Sequence, residues 1–336
     1  MQATAFAISA PTMSQQTIFA DPPLGTRALD LLRTRAIGYQ ILTPGKPASS
    51  VLAQAEMDPN FAHADIAFGQ PHLESIYAAE NLKWIQISSA GFTRYDTPDF
   101  RKYVADRGIL VTNSSSVYAR ACAEHAFSFM LANSRLLPQA LASRALNGSP
   151  EWFSLRSGSR SLHGQSIVIL GYGGIARELV KLLAPFQMKI TAMRRQPRGD
   201  EGLPVVTEAD LPAALAQADH VINILPENAA SRGFIGAPRL AAMKQGAVFH
   251  NIGRGTTVDQ HALADALHSG HLSTAWLDVT DPEPLPEDHP LRLAPNCYIT
   301  PHTAGGHYAE DETLVRHFVE NLHRYQAGES LADRIM

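Results

Sequence analysis

The chain has 336 residues, 45% of them hydrophobic and 18% charged, with a formal net charge of −4. That length predicts two domains with ordinary cores, and the acidic balance argues against a nucleic-acid or membrane-surface partner. No apolar run reaches the roughly 20 residues of a membrane span. The two cysteines suggest no disulfide framework and no His/Cys cluster has zinc-ligand spacing, so a reducing cytoplasm and no metal are expected.

Met1–Gln16 lacks a basic stretch and reads as a loose tail, not a signal peptide. From Thr17 to Asn113, short apolar runs alternate with amphipathic segments. The runs predict strands over Thr17–Ala20, Tyr39–Thr43, Ala64–Gly69, Leu82–Ser88 and Gly108–Thr112, with helices over Ala28–Arg35 and Ser50–Ala55. This alternation predicts an open parallel α/β sheet, which binds ligands at the C-terminal ends of its strands. Ser88-Ser89-Ala90-Gly91-Phe92-Thr93 falls at such an end, where small residues can present backbone N–H groups to an anion. Asn113–Tyr118 reads as a polar break before a long apolar helix over Ala121–Leu136. Glu124 is then placed to favour that helix start, and His125 to pack. Asn147–Ser161, rich in Gly, Ser and Pro, reads as a loop whose Trp152 and Phe153 serve packing or a subunit contact.

The rest of the chain is organised around Ser166–Leu170 and the turn Gly171-Tyr172-Gly173-Gly174-Ile175-Ala176. A β-branched run, close glycines and then apolar residues at helical spacing predict strand, tight turn, helix. Gly171 makes the turn, Gly173 lets the backbone approach a pyrophosphate, and Ala176 keeps helix and strand close. The helix N-terminus favours phosphate. About 20 residues on, an acid would grip the ribose 2′-hydroxyl of NAD. Here the strand Lys189–Met193 runs instead into Arg194 and Arg195, with Arg198 behind. Arginine suits a 2′-phosphate because its planar fork donates two parallel hydrogen bonds, so NADP(H) is favoured and NAD(H) left open.

Thr207-Glu-Ala-Asp210 resembles a capping box opening a helix. Strands are predicted over His220–Leu225, Ala247–Ile252, Ser273–Val279 and Cys297–Thr300, with helices over Pro238–Lys244 and Val258–Ser269. The alternation over Gln165–Val279 predicts a doubly wound dinucleotide domain. Asp281–Pro295 carries five prolines and reads as a fixed irregular loop, and Tyr308–Gln326 as a final helix able to return to the first domain.

Three stretches fall at strand ends: Asn251-Ile252-Gly253-Arg254-Gly255, Leu277-Asp278-Val279 running on to Glu283-Pro284, and Thr300-Pro301-His302. A 2-keto acid presents a carboxylate, a carbonyl and one face for hydride. Arg254, given room by a glycine on each side, can hold the carboxylate and polarise the carbonyl. His302 can give a proton to the developing alkoxide, since histidine titrates near neutrality. Glu283 can hold the other ring nitrogen. Singly, a loop arginine, an acid among prolines and a histidine after proline are all commonplace. Their joint occurrence beside the glycine turn carries the reading.

These motifs, with Ala123-Glu124-His125 and the glycine-rich turn, resemble those of the D-isomer-specific 2-hydroxyacid dehydrogenases, from Asn81 to Gln326. Arg195-Gln196-Pro197-Arg198 is most similar to the NADP-using glyoxylate/hydroxypyruvate reductases within that family. The resemblance implies two parallel-sheet α/β domains with the active-site cleft between them. Residues 1–116 with 308–336 would form a flavodoxin-like substrate domain, and residues 117–307 a Rossmann dinucleotide-binding domain. Arg254, Glu283 and His302 would be catalytic. Asp278 would reach the nicotinamide carboxamide, Pro226, Ile252 and Gly253 would line the cofactor cleft, and the Ala90 and Gly91 backbone would bind the substrate carboxylate. The implied activity is NAD(P)H-dependent reduction of a small 2-keto acid such as glyoxylate or hydroxypyruvate to the D-2-hydroxy acid, by a homodimer. A dinucleotide-sensing corepressor and a phosphite-oxidising relative are the alternatives. The chain departs from the family in lacking an acid at Arg194, in having Ala176 where a glycine is usual, and in placing His250 where a small or aliphatic residue is usual.

Overall fold

The computed structural model describes residues 15–51 and 53–336, so most of the expected N-terminal tail lies outside the described residues. The chain divides into two compact units, one running to Ser114 and resuming at Ala309–Met336, the other spanning Ser115–Tyr308.

In the first unit the order is β1 (Thr17–Ala20), α1 (Thr26–Arg35), β2 (Gln40–Leu42), β3 (Ile66–Gly69), α2 (Leu73–Ala78), β4 (Trp84–Ile87), α3 (Pro98–Arg107) and β5 (Leu110–Thr112). All pair in parallel, in the order β2-β1-β3-β4-β5. This is the flavodoxin-like order. β1, β3 and β4 are buried along their length, which is why they read as unbroken apolar runs. The C-terminal helix, Glu310–Ala327, packs in this unit. Its Phe318 ring stacks on Phe68 at 4.5 Å and on Trp84 at 5.1 Å.

No helix forms over the described part of 50–55. Its backbone is drawn into tertiary bonds instead: Ser88 Oγ donates to Val51 O at 2.6 Å and Ala55 N to Gln70 O at 3.0 Å. The sequence reading also passes over α3, whose signals are local. Thr97 caps the Phe100 N–H, Pro98 opens the helix, and Gly108 closes it with φ 66°.

The second unit runs α4 (Ser115–Ser134), α5 (Leu137–Ala142), α6 (Pro150–Gly158), β6 (Ser166–Leu170), α7 (Gly174–Leu183), β7 (Lys189–Met193), β8 (Val205–Val206), α8 (Leu211–Leu215), β9 (His220–Asn223), α9 (Ala237–Ala241), β10 (Ala247–Asn251), α10 (Gln260–His268), β11 (Leu272–Leu277), α11 (Pro290–Leu293) and β12 (Cys297–Ile299). The sheet is parallel, in the order β12-β11-β10-β9-β6-β7-β8. Strand order reverses between β6 and β9, and the glycine-rich turn follows β6 at that switch point. This is the doubly wound dinucleotide order with one added edge strand.

Three local expectations are corrected here. The expected polar break supplies the first turn of α4, which starts at Ser115. Glu124 therefore lies well inside the helix, paired with Arg120 at 2.9 Å instead of favouring its start. The stretch 147–161 is largely helical: the Ser149 hydroxyl accepts from the Trp152 N–H and Pro150 occupies the first turn. Thr207 Oγ1 and Asp210 Oδ2 bond each other at 3.2 Å, and neither side chain caps α8. Among the described residues, no helix is long and apolar enough to cross a membrane.

Candidate active site

Two chemical settings occur in the second unit, both at the C-terminal ends of its strands. The first is a cavity of about 710 Å³ at the glycine-rich turn. Gly171, Tyr172 and Gly173 form one wall. Gly171 has φ 97°, a backbone that side chains disfavour, and nothing stands within 4 Å of where a Gly173 Cβ would be. Gly174 and Ile175 open α7, whose N-terminal N–H groups lie beside this wall. Arg194, Arg195, Gln196 and Arg198 also line the cavity, as do Glu208 and Pro226. The diphosphate of a nicotinamide dinucleotide fits this combination of glycine backbone and helix N-terminus.

The sequence reading treats Arg194 and Arg195 alike, but the structure separates them. Arg194 Nη1 donates to Glu201 Oε1 at 2.7 Å, and the two side chains are 16% and 3% exposed. Arg195 and Arg198 are exposed. Contributors that the sequence reading leaves out are Leu225, Asn228, Ser231 and Phe234. The turn after Pro226 holds them: Ser231 Oγ donates to Pro226 O at 2.6 Å.

The second setting is built by three loops. β10 ends at Asn251, and the chain then passes tightly under its neighbours. A Cβ on Gly253 would lie 2.7 Å from Leu225 O, and one on Gly255 would lie 2.0 Å from the Thr280 carbonyl carbon. Both obstacles are backbone, so the glycines flanking Arg254 are required by close approach. Buried amides fix this loop: Asn223 Nδ2 donates to Asn251 Oδ1 at 3.0 Å and to Thr257 Oγ1 at 2.7 Å, and Asn251 Nδ2 to Arg254 O at 3.1 Å. Asn223 and Thr257 are absent from the sequence reading, although polar residues at the end of an apolar strand and in the turn beyond it are the visible signal.

After β11, Asp278 governs the turn that carries His302. Its Oδ1 accepts from Thr300 Oγ1 at 2.6 Å and from Thr303 N at 2.8 Å, and its Oδ2 from Ala304 N at 2.9 Å. His302 N donates to Asp278 O at 2.9 Å. These bonds hold His302 at φ 52°, a left-handed conformation that costs a non-glycine residue about 1–3 kcal/mol. His302 Nδ1 meets Glu283 Oε2 at 2.8 Å, and the Thr280 N–H donates to Glu283 Oε1 at 3.0 Å. Burial works to raise the Glu283 carboxyl. The His302 bond, the Thr280 N–H and the nearby Arg254 charge outweigh it and hold the group below its ordinary range. His125 Nε2 lies 3.3 Å from Thr300 Oγ1, so this histidine backs the same turn.

Of the three residues read as catalytic, Glu283 and His302 are in contact, and Arg254 is near enough for its charge to act on the Glu283 carboxyl while its Nη1 donates to Gly253 O at 2.7 Å. Ile252, Gly253 and Asp278 are buried and do not line the 710 Å³ cavity. Asp278, Glu283 and His302 line a separate cavity of about 340 Å³. Ala90 and Gly91 belong to the first unit, where Asn113 Nδ2 donates to Ala90 O at 2.7 Å and Ser89 Oγ to Gly91 O at 2.6 Å. Their carbonyls are engaged, while no hydrogen bond from either N–H is found among the described residues.

Residues 127–304 match the family model for the NAD binding domain of D-isomer specific 2-hydroxyacid dehydrogenases. Over 260 residues, the chain is 32% identical to human glyoxylate reductase/hydroxypyruvate reductase, covering 77% of this chain and 78% of that one. Glyoxylate/hydroxypyruvate reductase B of Escherichia fergusonii is 31% identical over 271 residues, 78% of this chain and 81% of that one. Among solved structures, the D-isomer specific 2-hydroxyacid dehydrogenase of Xanthobacter autotrophicus, in complex with NADPH and MES, superposes with a TM-score of 0.77 at 26% identity, covering 96% and 98% of the two chains. The NADPH-dependent glyoxylate/hydroxypyruvate reductase of Sinorhizobium meliloti, in complex with NADP and malonate, gives a TM-score of 0.72 at 25% identity, covering 96% and 97%.

Proposed function

The chain belongs to the D-isomer specific 2-hydroxyacid dehydrogenases, NAD(P)-dependent oxidoreductases, and on that premise we propose that it reduces glyoxylate or hydroxypyruvate with NADPH, giving the D-hydroxy acid where a stereocentre forms. The observation that carries the reading is the His302 Nδ1 to Glu283 Oε2 bond of 2.8 Å beside Arg254. A bound nicotinamide supplies the hydride for the carbonyl carbon. Arg254 holds the substrate carboxylate and polarises its carbonyl. Glu283 keeps the imidazole turned so that Nε2 faces the carbonyl oxygen and gives it the proton. In the oxidation direction the same nitrogen takes the proton back. The exposed Arg195 and Arg198 support NADPH over NADH.

Steady-state reduction of glyoxylate, hydroxypyruvate, pyruvate and phenylpyruvate with each cofactor tests this reading. Turnover of the first two, with NADPH preferred, is expected. Turnover of none of the four, or a preference for the phenyl acid, would refute it.

A homodimer belongs to the same reading. Leu141 is 84%, Leu146 80% and Phe153 57% exposed on and beside α5 and α6, large apolar side chains that a subunit contact would bury. Light scattering is expected to give twice the chain mass, and a monomer at micromolar concentration would refute the dimer.

A further inference from the structure

We infer that Glu201 is the residue that shapes the cofactor-specificity loop, and that it withdraws Arg194 from ligand binding so that Arg195 and Arg198 are the cations that meet a 2′-phosphate. The inference rests on the NADPH reading above and adds to it the residue that sets the preference.

Glu201 lies seven residues beyond Arg194, across a loop without regular structure. Its side chain is only 3% exposed. The carboxylate accepts three hydrogen bonds: Oε1 from Arg194 Nη1 at 2.7 Å and from the Arg198 N–H at 2.8 Å, and Oε2 from the Gly199 N–H at 2.8 Å. The Arg198 N–H contributes most to holding this carboxyl down to about 2, against the opposing effect of burial, with Arg194 and the Gly199 N–H adding to it. The loop therefore curls around a fixed negative charge. Its backbone donors point inward, and the Arg195 and Arg198 side chains are left exposed on the cavity wall.

Glu201 also ties the loop to the glycine-rich turn. Tyr172 Oη donates to Glu201 O at 2.9 Å, so one residue links the wall that meets the pyrophosphate to the wall that meets the far ribose. A loop fixed in advance binds its anion without the cost of ordering it. Arg194, spent on Glu201, offers a phosphate little: its charge is matched and its side chain is 16% exposed. The acid thus sharpens the site although it has the same sign as the ligand. A simple charge count would predict that removing it helps a phosphate bind, and the geometry points the other way.

The probes are 2′,5′-ADP and 5′-ADP, titrated calorimetrically into the full-length chain, so that binding is read apart from turnover. The wild type is expected to prefer 2′,5′-ADP. Glu201→Ala is expected to cut that preference about tenfold to a hundredfold, the scale of a lost charged hydrogen-bond set, with 5′-ADP affinity nearly unchanged. Glu201→Gln, which keeps the size but turns an amide N–H toward a backbone donor, should fall between, and it carries the test if the alanine variant fails to fold. Arg195→Ser/Arg198→Ser should abolish the preference with Glu201 intact. Kinetically, KM for NADPH should rise more than KM for NADH in Glu201→Ala, with the larger change in KM and the smaller in kcat. A wild type without preference overturns the NADPH reading and this inference with it. A wild-type preference that survives in both Glu201 variants, or that grows, overturns the role of Glu201 alone.

Discussion

Replacing His302 with alanine is expected to lower kcat for keto-acid reduction by about 10²–10⁴-fold, the usual worth of a positioned general acid, while leaving calorimetric NADPH binding unchanged. On the proposed mechanism the imidazole gives the carbonyl oxygen its proton, and its surroundings suit that role. It stands 35% exposed, on a backbone at φ 52°, with Nδ1 committed to Glu283 and Nε2 left for a substrate. Glu283→Gln keeps an acceptor for Nδ1 but loses the charge, and should fall between wild type and His302→Ala. Equal turnover by wild type and His302→Ala at any pH between 6 and 8 would remove the histidine from the reaction and the proposed mechanism with it.

The parts of this site that were legible from the sequence share a physical origin. Parallel strands buried on both faces read as continuous apolar runs, so Ile167–Leu170 and Val221–Ile222 announce themselves, and chemistry follows where such runs stop. Arg254, Glu283 and His302 each stand beyond the end of such a run. What could not be read is whatever depends on the return of one loop against another. Nothing in the spacing of Arg194 and Glu201 says that they pair, because a loop has no period. Asp278 is similar: the family resemblance implies a contact with the cofactor, while its grip on the turn 300–304 needs the third dimension. α6 is missed for a different reason. None of its residues is buried, so no apolar stripe marks it and only the Ser149-Pro150 start betrays it. The His250 departure from the family pattern gains an explanation only once β9 lies beside β10 and brings His220 within 3.1 Å.

That histidine pair leads to the second large effect: acidification from pH 7.5 to 4.5 is expected to weaken the second unit and strengthen the first. Gln165 Nε2 donates to Ser161 O at 2.6 Å, which leaves Gln165 Oε1 facing His220 Nε2 at 2.9 Å. That nitrogen therefore carries the proton, His220 Nδ1 accepts from His250 Nε2, and His250 Nδ1 is a buried lone pair without a partner among the described residues. A further proton would place a charge in the centre of the sheet. Burial holds His220 down to about 4, against a smaller opposing effect of Asp219, and holds His250 well below the ordinary value. Unfolded histidine takes up its proton first, so this stabilisation is complete above pH about 6.5. It is lost as pH falls from there toward 4, about 3 kcal/mol for His220 alone.

Asp21, at the end of β1, carries the opposite sign. Burial raises its carboxyl to about 7 in spite of the Gln70 N–H, and its Oδ2 is buried without a partner among the described residues. Here the folded form takes up the proton first, so the first unit gains about 4 kcal/mol as pH falls from about 7 toward the ordinary 3.8. A whole-protein melt would average the two responses. Hydrogen exchange, corrected for the intrinsic pH dependence of the amides, separates them: protection should fall in β9 and β10 and rise in β1 and β3. His220→Leu/His250→Leu should flatten the first response, and Asp21→Asn, a neutral isostere, should flatten the second. A β9–β10 response that survives the double substitution would remove the histidine pair as its cause, and protection that moves in the same direction in both units would show that one of the two buried groups, the histidine pair or Asp21, does not act with the sign argued for it.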